Sequence, residues 1–242
     1  MALLFSDPYD VMTKTRLKEL PQSAIDETKI IGDDLKYYED DKYYSRLGVD
    51  VSEHNGEVDY ESLKEKGIEF VFIRVGYRGY TKGELYLDDY FKDNYEKAKR
   101  VGLDVGVYFF SQALDMKEAI EEALFVLEAI RGLDIDLEVV YDLEDAHLEG
   151  RIKDLSKEEK SKNALAFCAK IEKEGYKAMI YSNSHWLNEE YVLEDIFNYE
   201  LWYARYDDYP KTSYPFKMWQ YSDSIKLNGN RAIDLNLRLE EK

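Results

Sequence analysis

Val139-Val140-Tyr141-Asp142-Leu143-Glu144-Asp145 is an apolar run that closes on carboxylates, with Asp142 and Glu144 two positions apart. Uncharged β-branched and aromatic residues predict a buried strand over its first half. Side chains alternate across a strand, so Asp142 and Glu144 share one face and Leu143 takes the other. Two acids at one strand end repel, and partial burial pushes the pKa of at least one upward. A protonated acid beside a carboxylate that stays ionised is the pair that general acid catalysis uses. The competing reading is a solvated acidic cluster in an acidic protein.

Two further segments bring acids to strand ends. Leu47-Gly48-Val49-Asp50-Val51-Ser52 is followed by the turn residues Glu53-His54-Asn55-Gly56, and Arg231-Ala232-Ile233-Asp234-Leu235-Asn236 lies near the C-terminus. Strands in one barrel place their C-terminal ends on one face, where α/β barrels carry their active sites. On that arrangement Asp50, Asp142, Glu144 and Asp234 converge.

The elements that would position them alternate. Strands are predicted over 47–51, 69–75, 104–110, 137–142, 177–182, 200–205, 216–221 and 231–235. Asp115 caps a predicted helix that buries Ile120, Ala123, Leu124 and Leu127 and ends before Gly132. Ser156-Lys157-Glu158-Glu159 is a capping box opening a helix that Gly175 closes. Alternation of strand and helix predicts βαβ units and a mostly parallel sheet. Beyond about residue 196 the strands follow too closely for helices, which predicts an antiparallel C-terminal portion. The fold class is therefore α/β, an irregular, incomplete β/α (TIM-like) barrel over residues 46–242. Residues 1–45, with Pro8, Pro21 and an acidic-aromatic run from Tyr37 to Tyr44, read as an N-terminal extension, an arm or stalk, with a short helix near Lys14–Leu20.

In chain order the pieces are Gly48-Val49-Asp50-Val51-Ser52 through Gly56, Phe70-Val71-Phe72-Ile73-Arg74-Val75, Gly102 through Phe110, and Tyr141-Asp142-Leu143-Glu144. Ile180-Tyr181-Ser182, Leu201-Trp202-Tyr203-Ala204, Trp219-Gln220-Tyr221-Ser222 and Ile233-Asp234-Leu235-Asn236 follow. This series resembles the glycoside hydrolase family 25 muramidases, the Chalaropsis-type lysozymes and phage endolysins, across residues 46 to 240. The chain departs from the family pattern at Phe109, where His is frequent, at Asn55, where Gln is common, and at Arg74, where Lys is common.

The resemblance implies a peptidoglycan hydrolase that cleaves the β-1,4 bond between N-acetylmuramic acid and N-acetylglucosamine with net retention. It also implies the family's irregular barrel and a location outside the cell or in its envelope. Glu144 is the expected general acid/base. Asp142 is either the nucleophile or the group that orients the substrate's 2-acetamido function for internal attack. Asp50 and Asp234 are expected to serve electrostatics and substrate positioning. Tyr108, Tyr181, Trp202 and Trp219 match family positions near the cleft and would form the sugar platform, with Arg74 a polar contact. A barrel that binds wall amino-sugar polymers without cutting them is the alternative from another class. A divalent-metal hydrolase using the same four acids is a third.

Composition narrows the classes. The 242 residues are 45% hydrophobic and 14% aromatic, enough for one large core. Tyrosine is abundant at 22, against 10 Phe and 3 Trp, and its apolar face with a hydrogen-bonding tip suits a sugar cleft. A net charge of −18 argues against nucleic acid and against simple attraction to polyanionic wall polymers or anionic lipid. His54, His147 and His185 are too scattered to form a metal motif, and no cofactor fingerprint is present. Cys168, the single cysteine, excludes an intramolecular disulfide and reads as a buried thiol on a helix with Ala164, Phe167 and Ile171. No stretch approaches a membrane span, and Met1-Ala2-Leu3-Leu4-Phe5 is too short for a signal-peptide core.

Overall fold

The structure, a computed structural model, describes residues 9–145, 150–226 and 232–242. His147 and Arg231 lie outside the described residues, as does the start of the 231–235 strand prediction.

The chain runs β1 (Tyr43–Val51), α1 (Tyr60–Glu65), β2 (Phe70–Arg78), β3 (Leu85–Leu87), α2 (Phe91–Arg100), β4 (Asp104–Ser111) and α3 (Met116–Ala129). It continues through β5 (Val139–Leu143), α4 (Lys157–Lys173), β6 (Ala178–Asn183), α5 (Ser184–Glu189), α6 (Leu193–Ile196), β7 (Glu200–Ala204), β8 (Met218–Ile225) and β9 (Ile233–Glu241). Strands β1, β2, β4, β5, β6, β7 and β8 pair in parallel in that order. β9 lies antiparallel between β8 and β1, so the sheet closes into a barrel. β3, too short to carry a period-2 signal, adds antiparallel to β2 outside the ring. The expected antiparallel C-terminal portion is confined to β9, because β8 runs parallel to β7. Residues 205–217 make that crossover without a helix. Part of their backbone is satisfied by the N-terminal arm: the Glu27 carboxylate accepts from the amides of Lys211 and Thr212, and Ser23 N–H donates to the Ser213 carbonyl.

Both helix openings follow local chemistry. Asp115 accepts from Glu118 N–H at the start of α3, which buries Ala119, Ile120, Ala123 and Val126, with Leu124 and Leu127 only partly buried. Ser156 and Glu159 form the reciprocal capping box of α4, and Gly175 beyond its end takes a φ of +91°. Cys168 is fully buried on α4.

The arm is neither helical at 14–20 nor detached. A seven-residue segment ahead of Pro21 is too short to hold a helix on its own hydrogen bonds. Its polar groups bind the barrel's outer layer instead. Arg16 forms a forked ion pair with Asp195, Lys14 pairs with Glu172 at 2.8 Å, and Leu17 N–H donates to the Glu194 carbonyl. Further along, Ile30 and Tyr38 are buried in the main core and Lys36 N–H meets the Tyr221 hydroxyl. The expected boundary at residue 46 falls inside β1.

Alternation sorts the strand residues into two cores. Outward residues such as Val71, Val107, Tyr141, Ile180 and Leu237 pack with the helices and the arm. Inward residues fill the barrel in three levels. At the bottom Arg238 makes a bidentate pair with Glu138, at 2.6 and 2.8 Å, and both are buried. Phe70, Phe72, Val140, Met179, Tyr181, Trp202 and Met218 form the middle. Gly48 and Gly106 face Phe70 and Phe72, and a Cβ at either position would overlap the ring. The top level is acidic.

Candidate active site

At the C-terminal ends of the parallel strands lies a cavity of about 560 Å³. Among the described residues it is lined by Asp50, Glu53, Asp142, Glu144 and Asp234, with Arg74 the arginine at its wall. The four sequence-predicted acids therefore share one cleft. Asp50 is brought there by β1, whose Val49 and Val51 face the outer core. Asp142 ends the inward row Glu138–Val140–Asp142, which starts one residue before β5. Glu144 continues it one step past the strand, while Leu143 packs in the outer core as alternation requires.

Asp50 and Asp234 are direct partners across the antiparallel β1–β9 pair, and their carboxyl groups hydrogen-bond to each other. Asp50 Oδ2 accepts from Gln220 Nε2 at 2.9 Å and from Asn236 Nδ2 at 2.8 Å. Burial raises both acids, but the two amide donors hold Asp50 at about 6. Asp234 is pushed up to about 9 by burial and by the Asp50 charge. At neutral pH the shared proton thus resides on Asp234.

Gln220 is saturated: its Nε2 also reaches Asp234 at 3.3 Å, and its Oε1 accepts from Tyr181 and Tyr206 hydroxyls at 3.0 and 2.9 Å. The amide fixes the pair of acids and two wall tyrosines at once.

This protonation has a stability consequence. The Asp234 carboxyl moves from 3.8 in the unfolded chain to about 9 when folded, so the unfolded chain sheds its proton first. Stability from this group is fully present below pH ~4 and is lost as pH rises towards 9. Asp234→Asn keeps an N–H for Asp50 and an oxygen for Gln220, without the titration. In thermal melts the variant's advantage in Tm over wild type is expected to widen from pH 5 to pH 9, by a few degrees. A pH-independent difference would contradict the shared-proton assignment.

Asp142 is buried, and its Oδ1 has no hydrogen-bond partner among the described residues. Burial first, then the charges of Glu144 and Asp50, raise its pKa well above the usual carboxylate range, with Arg74 opposing. Glu144 is more open. Burial raises it too, offset by the Asn183 amide, whose Nδ2 lies 3.4 Å from Oε2. Two carboxyl groups in one partly desolvated cleft, one exposed enough to meet a substrate oxygen, can hold and pass a proton.

Of the four expected aromatics, Tyr108, Tyr181 and Trp202 line the cleft. Trp202 forms the floor, with Tyr181, Phe72 and Tyr108 around it at centroid distances of 5.0, 5.2 and 5.9 Å. Its Nε1 donates to Asn236 Oδ1 at 2.8 Å. Arg74 lines the cleft but is held by Asp88 at 2.8 Å and Glu53 at 2.9 Å, with His54 Nε2 3.4 Å from its Nη1. Trp219 is not in the cleft. Its neighbours Met218 and Gln220 point inward, so Trp219 points outward. It is fully buried in the outer core, its Nε1 donates to the Arg205 carbonyl, and Lys36 of the arm lies 6.0 Å from its ring. The same alternation singles out Gln220 and Asn236, which sequence reasoning quoted without assigning. Tyr206 and Tyr80, also on the wall, sit in loops with no periodic signal.

The family model for Glycosyl hydrolases family 25 matches residues 49–230. An autolytic lysozyme of Clostridium acetobutylicum is 28% identical over 183 residues, which cover 75% of this chain and 52% of that protein. The chain thus spans about half the length of that curated relative. Among solved structures, a family GH25 lysozyme from Aspergillus fumigatus superposes with a TM-score of 0.65 at 26% identity, covering 80% of this chain and 93% of that one. The modular autolysin LytC from Streptococcus pneumoniae gives 0.72 at 22% identity over 86% of this chain and 51% of that one. With a cleft of this build and a match across most of its length, the chain belongs to glycosyl hydrolase family 25.

Proposed function

We propose that the protein is an N-acetylmuramidase that hydrolyses the β-1,4 bond between N-acetylmuramic acid and N-acetylglucosamine in bacterial peptidoglycan. The observation that carries this reading is the placement of Asp142 and Glu144 on one face of the cleft of a family 25 chain, above an aromatic floor. Glu144 donates its proton to the glycosidic oxygen as the bond to the leaving N-acetylglucosamine breaks. Asp142 is buried, with an oxygen that lacks a partner among the described residues. That supports a role in accepting the N–H of the muramic acid 2-acetamido group, whose carbonyl oxygen attacks C1 from the opposite side. Glu144, now a carboxylate, then takes a proton from water as that water attacks C1 and frees the acetamido oxygen. Two inversions give net retention. Asp50, Asp234 and Gln220 favour the positive charge that develops at C1, and Trp202, Tyr108 and Tyr181 carry the sugar. Arg74 is a polar contact for the glycan. Its substrate places the protein's action outside the cell or in its envelope. At net charge −18, recognition rests on these contacts more than on long-range attraction.

Digestion of purified peptidoglycan, followed by mass spectrometry of borohydride-reduced fragments, tests the assignment. Fragments ending in reduced muramic acid are expected. Intact wall that still retains the protein in a pull-down would indicate a binding protein and overturn the hydrolase reading.

A further inference from the structure

Glu144 stands just past the end of β5, beyond the last strand pairing of Ser111 with Leu143, so the sheet does not hold it. Two amides do. Gln112 is buried, and its Nε2 donates to the Glu144 backbone carbonyl at 2.8 Å. Its own backbone N–H is tied to Glu122, which Arg78 and Ser111 clamp at 2.7 and 2.6 Å. The second amide, Asn183, faces the carboxylate.

Asn183 ends β6 and caps α5, and its Oδ1 accepts from Trp186 N–H at 2.9 Å. A helix cap requires an oxygen there, so the amide cannot flip, and Nδ2 must point the other way, 3.4 Å from Glu144 Oε2. Asn183 is not among the residues lining the cavity, so its effect on a substrate passes through Glu144.

We infer that Asn183 is a positioning residue for Glu144: the α5 cap locks its amide so that a neutral donor always faces the acid. This rests on the muramidase reading for its consequence in catalysis. Burial and the charge of Asp50 work against the ionised form of Glu144, and among the described residues Arg74 is the cation that shares the cleft. The acids facing it are Asp142 on its own strand, Asp50 on β1 and Asp234 on β9. The phenols of Tyr80, Tyr181, Tyr191 and Tyr206 also sense its charge. Asn183 is the hydrogen-bond donor recorded at its carboxylate among the described residues. A donor to the charged form favours that form. An acid/base group that must alternate between protonated and ionised states in one cycle gains from such an opposing contact.

Asn183→Asp is the discriminating substitution, since Asp caps a helix as well as Asn but sets an anionic acceptor against Glu144. Asn183→Ser keeps a capping oxygen and removes the amide Nδ2 that reaches Glu144. Two readouts are taken on both variants and wild type. One is the pH profile of kcat/KM on peptidoglycan. The other is a carbon-13 carboxyl NMR titration, with the Glu144 signal identified by its loss in Glu144→Gln. The expected result is an upward move of the alkaline limb and of the Glu144 midpoint, larger for Asp than for Ser. A Glu144 midpoint unmoved in both variants would overturn the inference. If wild type releases no muramic-acid ends, or Glu144→Gln keeps full activity, the functional reading fails instead, and the NMR titration still decides the role of Asn183.

Discussion

Glu144→Gln is expected to lower kcat on peptidoglycan by roughly 10²–10⁴-fold, the range that a positioned general acid supplies. The change removes the transferable proton at nearly constant volume. Glutamine keeps an oxygen for the Asn183 amide and the backbone carbonyl that Gln112 holds, so the cleft retains its shape. Burial raises the wild-type carboxyl, which means that the folded state tolerates its charge poorly. The variant should therefore melt no lower than wild type at neutral pH. The two readouts together separate chemistry from folding: turnover collapses while the melting curve holds. Retained turnover would move the acid role elsewhere, and Asp142, raised further by its surroundings, would be the next to examine.

The second large effect lies at the opposite end of the barrel. Glu138 and Arg238 neutralise each other beneath the aromatic level, and Arg238 Nε also reaches Glu240, which Lys217 holds at 2.6 Å. Removing one member of a buried pair strands the other charge in a poorly solvated site, at a cost of about 3–5 kcal/mol. Glu138→Ala should lose that much in urea unfolding, towards the lower figure because Glu240 still faces the guanidinium. Replacing both residues, Glu138→Leu with Arg238→Met, should recover most of it, since well-packed apolar residues can substitute for a buried pair. Per folded molecule, cleavage should be unchanged, because Phe70, Phe72 and Trp202 lie between this pair and the acids. A single-variant loss below about 1 kcal/mol would mean that the pair is solvated.

What could be read from the chain follows from which forces are local. Alternation within one strand placed Asp142 and Glu144 together and Leu143 away, and the structure keeps that arrangement. The capping box at Ser156 and the cap at Asp115 are contacts within four residues, and both form as expected. β8 pairs parallel with β7 through a helix-free crossover that the distant arm contacts, which spacing alone does not reveal. Trp219 matches a family position near the cleft, yet the pleat turns it outward and delivers Gln220 instead. Gln220 and Asn183 owe their roles to partners on other strands, 39 positions away for both Tyr181–Gln220 and Asn183–Glu144. No local pattern marks a residue for such work.

The antiparallel seam between β1 and β9 also governs when the site exists. Asp50 receives its amide from Asn236 across 186 positions, and the Asp50–Asp234 pair forms only as the last strand docks against the first. Closing so long a loop is entropically costly and slow compared with the βαβ contacts made along the way. Emerging from the ribosome, the chain can lay down β2 through β7 while Asp50 still lacks both the proton partner and the donor that define its state. The Asp50–Asp234 pair and the Asn236 donor thus arrive with the last strand, and a chain interrupted before β9 carries Asp50, Asp142 and Glu144 without Asp234 or Asn236.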